Sequence, residues 1–227
     1  MKWQVQLQSQ LGRSGSAFML NIDFSSNAQR LVLFGPSGAG KTQTLMMMSG
    51  LNTPQQGRVV FDSHVVFDSR QGINLAARQR GLGYMFQDYA LFPHLTVRQN
   101  IGFALSHAWR NPHAAQQHSS VTHWLEVFQL QAVASLYPEQ ISGGQRQRTA
   151  LARALVAQPR ALLLDEPFAA MDRPLRQRLR EELLQLQHDL SLPMVLITHD
   201  DEDVNAFAQE VIQIEQGEVI SGSTPCG

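Results

Sequence analysis

Gly35-Pro36-Ser37-Gly38-Ala39-Gly40-Lys41-Thr42 is the stretch that decides the fold of this chain. It fits the pattern G-x-x-x-x-G-K-[ST], and its flanks suit it. Leu31-Val32-Leu33-Phe34 before it is a short apolar run that reads as a buried strand. Thr42 to Ser49 after it lacks glycine and proline until Gly50, as a helix with a glycine stop does. Strand, glycine loop and helix in that order are the context of a phosphate-binding loop. Glycines let backbone N–H groups surround phosphate oxygens, and the helix N-terminus adds partial positive charge. Lys41 is expected to reach the β- and γ-phosphates of a nucleoside triphosphate, and the Thr42 hydroxyl to sit on Mg²⁺.

Working outward, the chain of 227 residues is long enough to bury a sizeable core. Hydrophobic residues at 43% and charged residues at 16% describe an ordinary globular protein. A net charge of −1 and a pI near 6.7 give no basic surplus of the kind that nucleic acid attracts. The single cysteine, Cys226, cannot form an internal disulfide, which suits a reducing compartment. No apolar run approaches the length of a membrane span, and residues 1 to 10 alternate rather than forming a signal peptide. Any service to a membrane is therefore expected to go through docking onto another chain.

Met1 to Gln8 alternates apolar and polar residues, and Leu20, Ile22 and Phe24 resume the alternation after a turn near Gly12, so the chain is expected to open with a hairpin. Gly57–Phe61 and His64–Phe67 read as two antiparallel strands around Asp62-Ser63, and Leu82–Phe86 as a further strand ending at Gln87. From Tyr89 to about Val156 the pattern turns helical, and Asn111 to Ser120 reads as a surface loop or a loose helix start. Ala161–Leu164 and Met194–Ile197 are apolar strands on either side of an amphipathic helix over 174–190, with Leu175, Leu179, Leu183, Leu186 and Leu190 on one stripe. Asp200 to Asp203 opens another helix, and Val211–Ile214 with Val219-Ile220 makes a closing hairpin about Gln216-Gly217. Alternating strands and helices give an α/β fold edged by antiparallel strands and interrupted by a helical segment. No internal repeat is evident.

Two further stretches carry chemistry. Ala161-Leu162-Leu163-Leu164 delivers Asp165 and Glu166 to a strand's carboxyl end, where open α/β sheets place their ligands. Asp165 is the expected Mg²⁺ partner, and Glu166 is placed to polarise the water that attacks the γ-phosphate. Adjacent carboxylates also serve as simple helix caps, and the phosphate loop in the same chain is what favours the catalytic reading. Ile141-Ser142-Gly143-Gly144-Gln145 has the S-x-x-Q spacing of a capping box, yet a cap needs no glycine pair. Gly143 and Gly144 would bare N–H groups at a helix start and make a second anion site.

Taken together, these motifs resemble those of the ABC ATPases, and the resemblance covers essentially the whole chain. I-S-G-G-Q is similar to that family's L-S-G-G-Q signature; Gln87, in G-Y-M-F-Q-D, matches its Q-loop glutamine; Ala169-Ala170-Met171-Asp172 matches its D-loop, though beginning with Ala where Ser is usual; and His199, in I-T-H-D, matches its switch histidine. The resemblance implies a P-loop NTPase with a RecA-like core over 1–88 and 157–227, an antiparallel β subdomain and a helical subdomain over 89–156, all in one domain. It implies ATP and Mg²⁺ as cofactors and a head-to-tail dimer in which Ser142, Gly143, Gly144 and Gln145 of one copy meet the γ-phosphate held by the other. Gln87 is implied to complete the Mg²⁺ environment with Thr42 and Asp165, His199 to hold the γ-phosphate and orient water with Glu166, and Asp172 to bridge the two sites.

Gln87 to Val97 resembles importer ATPases in particular, which implies membrane permease subunits docking there, an extracellular or periplasmic binding protein acting indirectly, and a peripheral place on the cytoplasmic face of the membrane. Tyr89, Leu91 and Phe92 suit an apolar patch that a partner covers, and they suit core packing as well. The cargo look is closest to molybdate-type oxyanion systems, with iron, sulfate, thiamine, polyamine and sugar systems open. A soluble ABC protein of DNA repair or translation is the rival reading, but paired ATPase domains and a long inserted coiled coil are both lacking; a small-molecule kinase leaves I-S-G-G-Q unexplained. Where relatives stack adenine on an aromatic residue, Leu11-Gly12 stands, with Trp3 and Phe18 the nearest aromatics. A regulatory domain often follows such importer ATPases and is not expected in a chain stopping at Gly227. His107, His113, His118 and His123 lack the paired i, i+4 spacing of a helical metal site, and Met46-Met47-Met48 reads as core filling.

Overall fold

The computed structural model describes residues 1–12, 17–105, 118–169 and 173–223, the side chains of 221–223 aside. From the N-terminus, β1 (Trp3–Leu11) and β2 (Phe18–Ser26) form a hairpin, and β3 (Arg30–Phe34) leads through the phosphate loop into α1 (Lys41–Ser49). An antiparallel meander of β4 (Gln56–Phe61), β5 (His64–Asp68) and the short β6 (Ile73–Asn74) precedes β7 (Leu82–Met85). Then come α2 (Val97–Gly102), α3 (Ser119–Val127) and α4 (Gly143–Leu155). Next are β8 (Ala161–Asp165), α5 (Arg173–Leu190), β9 (Met194–Thr198), α6 (Asp201–Phe207), β10 (Glu210–Glu215) and β11 (Glu218–Ser223).

All strands join one sheet in the order β6-β5-β4-β1-β2-β11-β10-β3-β9-β8-β7. The run β10-β3-β9-β8-β7 is parallel, and β11 links it to the hairpin through the parallel pair Glu218 and Asn21. The closing hairpin is thus also a seam between two kinds of sheet. Alternation along the parallel strands divides the core. Leu31, Leu33, Ala161, Leu163, Val195 and Ile197 join α1 and the inner face of the β1–β5 strands. Val32, Leu162, Leu164, Met194 and Leu196 face the other way, onto α4, α5 and α6. Burial on both faces explains why these strands read as continuous apolar runs.

Several details differ from the sequence expectation. β6 is too short to leave a periodic signal. Arg173 rather than Pro174 is the first residue of α5. Of its leucine stripe Leu179 and Leu183 are buried, whereas Leu190 is 44% exposed because the stripe runs past the sheet it covers. Tyr89 is buried in the helical core rather than presented to a partner, while Leu91 and Phe92 are half-buried. Met47 and Met48 are core residues and Met46 is half-buried. Asp172 lies outside the described residues, as do Cys226, His107, His113 and most of the stretch 111–120.

Candidate functional site

The parallel register brings four strand ends to one edge. Phe34 pairs with Thr198, Ile197 with Asp165 and Leu164 with Met85, so the residues that follow β3, β9, β8 and β7 emerge side by side. That edge is where an open α/β sheet binds its ligand. Gly35 must be glycine: a Cβ there would lie 2.0 Å from the Ile214 carbonyl oxygen. Gly40, with φ of 99°, turns the chain into α1 and leaves no room for a side chain against Leu20, 2.5 Å from where its Cβ would stand.

Lys41 is buried, and its ammonium donates to the carbonyls of Gly35 at 2.7 Å and Pro36 at 2.8 Å. Burial lowers its pKa, against the pull of Glu166 and Asp165. The Thr42 hydroxyl donates to Asp165 Oδ1 at 3.0 Å, and the Tyr84 hydroxyl donates to Asp165 Oδ2 at 3.3 Å. Burial raises the Asp165 pKa, and the bonds from Thr42 and Tyr84 only partly offset it. A buried carboxylate short of countercharge beside a hydroxyl oxygen is a hard-oxygen pair that fits Mg²⁺.

Glu166 sits at the first position beyond β8 with φ of 43°, a left-handed conformation that costs a non-glycine residue roughly 1–2 kcal/mol. Its backbone is held by the Ile197 carbonyl at 3.1 Å. The carboxylate stands between two partners, with His199 Nδ1 3.2 Å from Oε1 and Gln87 Nε2 3.3 Å from Oε2. The Gln87 amide nitrogen is therefore on Glu166, not on the Thr42–Asp165 pair. Lys41, Thr42, Gln87 and Glu166 border a cleft of about 610 Å³ that Leu11, Gly12, Phe18 and residues 37–43 also line, whereas His199 lies in a smaller pocket that shares Glu166. Trp3 is no part of the cleft: the indole is fully buried, edge-on to Phe61 and bonded to the Ala28 carbonyl.

Ser142 to Gln145 stand outside that lining. Ser142 caps α4, accepting from the Gln145 amide at 3.3 Å while Gln145 Oε1 accepts from the Ser142 amide at 2.9 Å. Gly143 has open space around it, its nearest neighbour being Arg146 at 3.9 Å from the Cβ position. Gly144 is buried, and a Cβ there would meet Leu175 at 3.4 Å, an ordinary van der Waals contact, so helix packing alone does not demand the second glycine.

The sequence reading missed three groups. Tyr84 looked like any strand residue, although its place on β7 beside β8 was the available clue. Arg180 forks onto Asp203 at 2.5 Å, Glu202 at 2.7 Å and Asp200 at 3.3 Å, with Arg176 on Asp200 at 2.6 Å. Thr198 donates to Asp203 at 2.6 Å and accepts from the Asp200 amide at 3.0 Å, so both neighbours of His199 are pinned to α5. Of the acids at 200–203, expected to complement a helix dipole, Asp200, Glu202 and Asp203 also hold these arginines. Lastly, Arg153 reaches from α4 to the loop after Gln87.

The family model described as "ABC transporter" matches residues 20–169. This chain belongs to the ABC transporter family. Among curated relatives, the sulfate/thiosulfate import ATP-binding protein CysA of Escherichia coli K12 is 41% identical over 221 residues, covering 96% of this chain and 59% of that protein. A probable sulfate/thiosulfate import ATP-binding protein of Chlorella vulgaris is 41% identical, covering 86% of this chain and 79% of its own. The chain thus spans about 59% of the length of the E. coli relative. Among solved structures, a dimeric form of MJ0796, a bacterial ABC transporter cassette, matches with a TM-score of 0.82 and 25% identity over the whole of both chains. The same cassette as a dimer in a post-hydrolysis state with ADP and Pi matches equally well at 24% identity, a likeness of fold. The fold of an ABC cassette accounts for the mixed sheet and for helices clustering beside its parallel half.

Proposed function

We propose that two copies of this chain close around two Mg·ATP, hydrolyse them, and drive the membrane subunits of an importer. The observation that carries hydrolysis is Glu166, held between Gln87 and His199 at the mouth of the phosphate-loop cleft. Thr42 and Asp165 would hold Mg²⁺, which when bound neutralises charge on the β- and γ-phosphates. Lys41, drawn off its two loop carbonyls, would bind the same phosphates. Glu166 orients the attacking water and accepts its proton as the new P–O bond forms and the bond to the ADP oxygen breaks. His199 steadies the γ-phosphoryl oxygens from the far side.

The place of Ser142–Gln145 outside this cleft supports a site shared between copies, with Asp172 bridging the two. The domain division follows the same reading: a nucleotide-binding core over 1–88 and 157–227 and a signature-bearing helical part over 89–156. Among the described residues no helix is long and apolar enough to cross a membrane. Attachment is accordingly peripheral, on the cytoplasmic face, through permease subunits that receive the region Gln87–Val97. The names of the relatives move the cargo from molybdate to sulfate or thiosulfate, oxyanions of similar size and charge. The molybdate leaning rested on the short first hairpin and the run Gly72-Ile73-Asn74-Leu75, and an ATPase subunit does not touch the cargo. Mixed dimers test the shared site: Ser142→Arg in one copy should silence the phosphate loop of the other and halve turnover. Full turnover at both sites in such dimers would refute it.

A further inference from the structure

The segment after Gln87 takes an unusual path. Tyr89 and Ala90 are consecutive non-glycine residues with φ of 64° and 42°. Two left-handed residues in a row are costly and persist only when the surroundings hold them. Arg153, eleven positions along α4 from Ser142, holds them. Its guanidinium donates to the Tyr89 carbonyl at 2.6 Å and the Ala90 carbonyl at 2.7 Å, and it lies 5.7 Å from the centre of the Phe92 ring. Its hydrogen bonds thus go to main-chain oxygens rather than to a carboxylate, so they select a backbone shape. From the other side Asn100 of α2, fully buried, accepts from the Phe92 amide at 2.8 Å and donates to the carbonyls of Phe92, Leu95 and Thr96 at 3.2, 2.9 and 3.1 Å. Phe92 in turn lies against Phe103, 37% exposed, with ring centres 4.3 Å apart and the planes tilted by 44°.

We propose that Arg153 is a strut that makes the loop 88–92 and the signature helix α4 one mechanical unit, so that a load on the loop moves Ser142–Gln145 and the reverse. The inference rests on the shared-site reading above. A helix rises about 1.5 Å per residue, so the strut grips α4 roughly 15 Å from its capped end. Over that length a tilt forced at the loop becomes a displacement at Ser142. Coupling of this kind is reciprocal, so closure of the signature on the partner's nucleotide must also alter the loop. The hydrogen bonds of Arg153 go to Tyr89 and Ala90 rather than to the phosphate loop or Ser142–Gln145, so it acts as a positioning residue. Lysine cannot replace it, because one ammonium does not hold the forked geometry over two carbonyls and a ring.

The test is hydrogen exchange of the peptide 88–96 in Glu166→Gln protein with Mg·ATP. The baseline is ATP-bound Ser142→Arg protein, which fills its own cleft but cannot close. With Arg153 intact, closure should slow exchange in this peptide several-fold beyond the baseline. With Arg153→Met, exchange should become at least about tenfold faster, since both charge-assisted hydrogen bonds are lost and either alone implies that much. The added protection on closure should vanish, while affinity for a fluorescent ATP analogue stays unchanged. Arg153→Lys, the milder change, should behave likewise and serves if the Met variant fails to fold. Equal closure-dependent protection in either folded variant overturns the strut, as does no added protection in the protein with Arg153 intact. A failure of Glu166→Gln protein to dimerise at all, seen by sedimentation, overturns the shared-site reading and takes the strut with it.

Discussion

Replacing Arg180 with methionine probes how His199 is held in place. The Arg180 side chain is 9% exposed and contacts three carboxylates, of which Asp203 is itself buried. Methionine keeps the stem and its packing but leaves the Asp203 carboxylate with only the Thr198 hydroxyl, 2.6 Å away. Breaking a buried pair by removing one partner costs about 3–5 kcal/mol. The surviving Thr198 bond and the partial exposure of Asp200 favour the lower end. At this size about 3 kcal/mol lowers Tm by roughly 6–12 °C. Calorimetry reads the stability and steady-state ATPase assays read the site. Because Thr198 and Asp200 flank His199, kcat should fall more than KM rises. Acid sensitivity supplies a second readout. Burial alone would raise the Asp200 pKa, but the Glu202 amide, Arg180 and Arg176 hold it below the ordinary value, and Arg180 then Arg173 lower that of Glu202. Carboxylates with lowered folded pKa values contribute stability above the unfolded value of about 4 and lose it as pH falls through the folded one. The unmodified protein should therefore lose more stability between about pH 5 and 3 than Arg180→Met does. A destabilisation below about 1 kcal/mol, with an unchanged acid limb, would refute the reasoning, since that is the worth of a surface pair.

Tyr84→Phe removes one of the two hydrogen bonds to Asp165 and should alter divalent affinity several-fold, read by Mn²⁺ paramagnetic resonance, with ATP affinity in EDTA unchanged; identical Mn²⁺ binding would leave Tyr84 a packing residue. Phe18→Ala strips the aromatic wall of the cleft and should weaken binding of a fluorescent ATP analogue by about 1 kcal/mol or more if adenine stacks there. Leu11→Ala should do less, and Phe18→Ala with unaltered affinity would move the base elsewhere.

The phosphate loop, the acidic strand end and the capped signature were legible because each is local. A glycine pattern, an apolar run ending in Asp165 and an S-x-x-Q spacing all sit within a few residues. The parallel strands were legible for the same reason, since burial on both faces leaves uninterrupted apolar runs. Arg153 and Arg180 were not, because their partners lie 63 or 64 and 20 to 23 positions away and side-chain periodicity encodes no pairing. Leu190 misled because a regular stripe continues past the surface that covers it. Tyr89 stood between a partner-covered patch and core packing, and composition could not choose between them; its ring is buried. The seam between β11 and β2 was hidden too, resting on the single pair Glu218 and Asn21.

Glu166 is the residue on which the account depends most. Glu166→Gln keeps the side chain's shape between Gln87 and His199 but removes the base. Sedimentation of that variant with Mg·ATP should show a dimer retaining two unhydrolysed ATP, with turnover lowered by about a hundredfold or more, the usual scale of a lost general base. A monomer under those conditions, or hydrolysis at the unmodified rate, would contradict it.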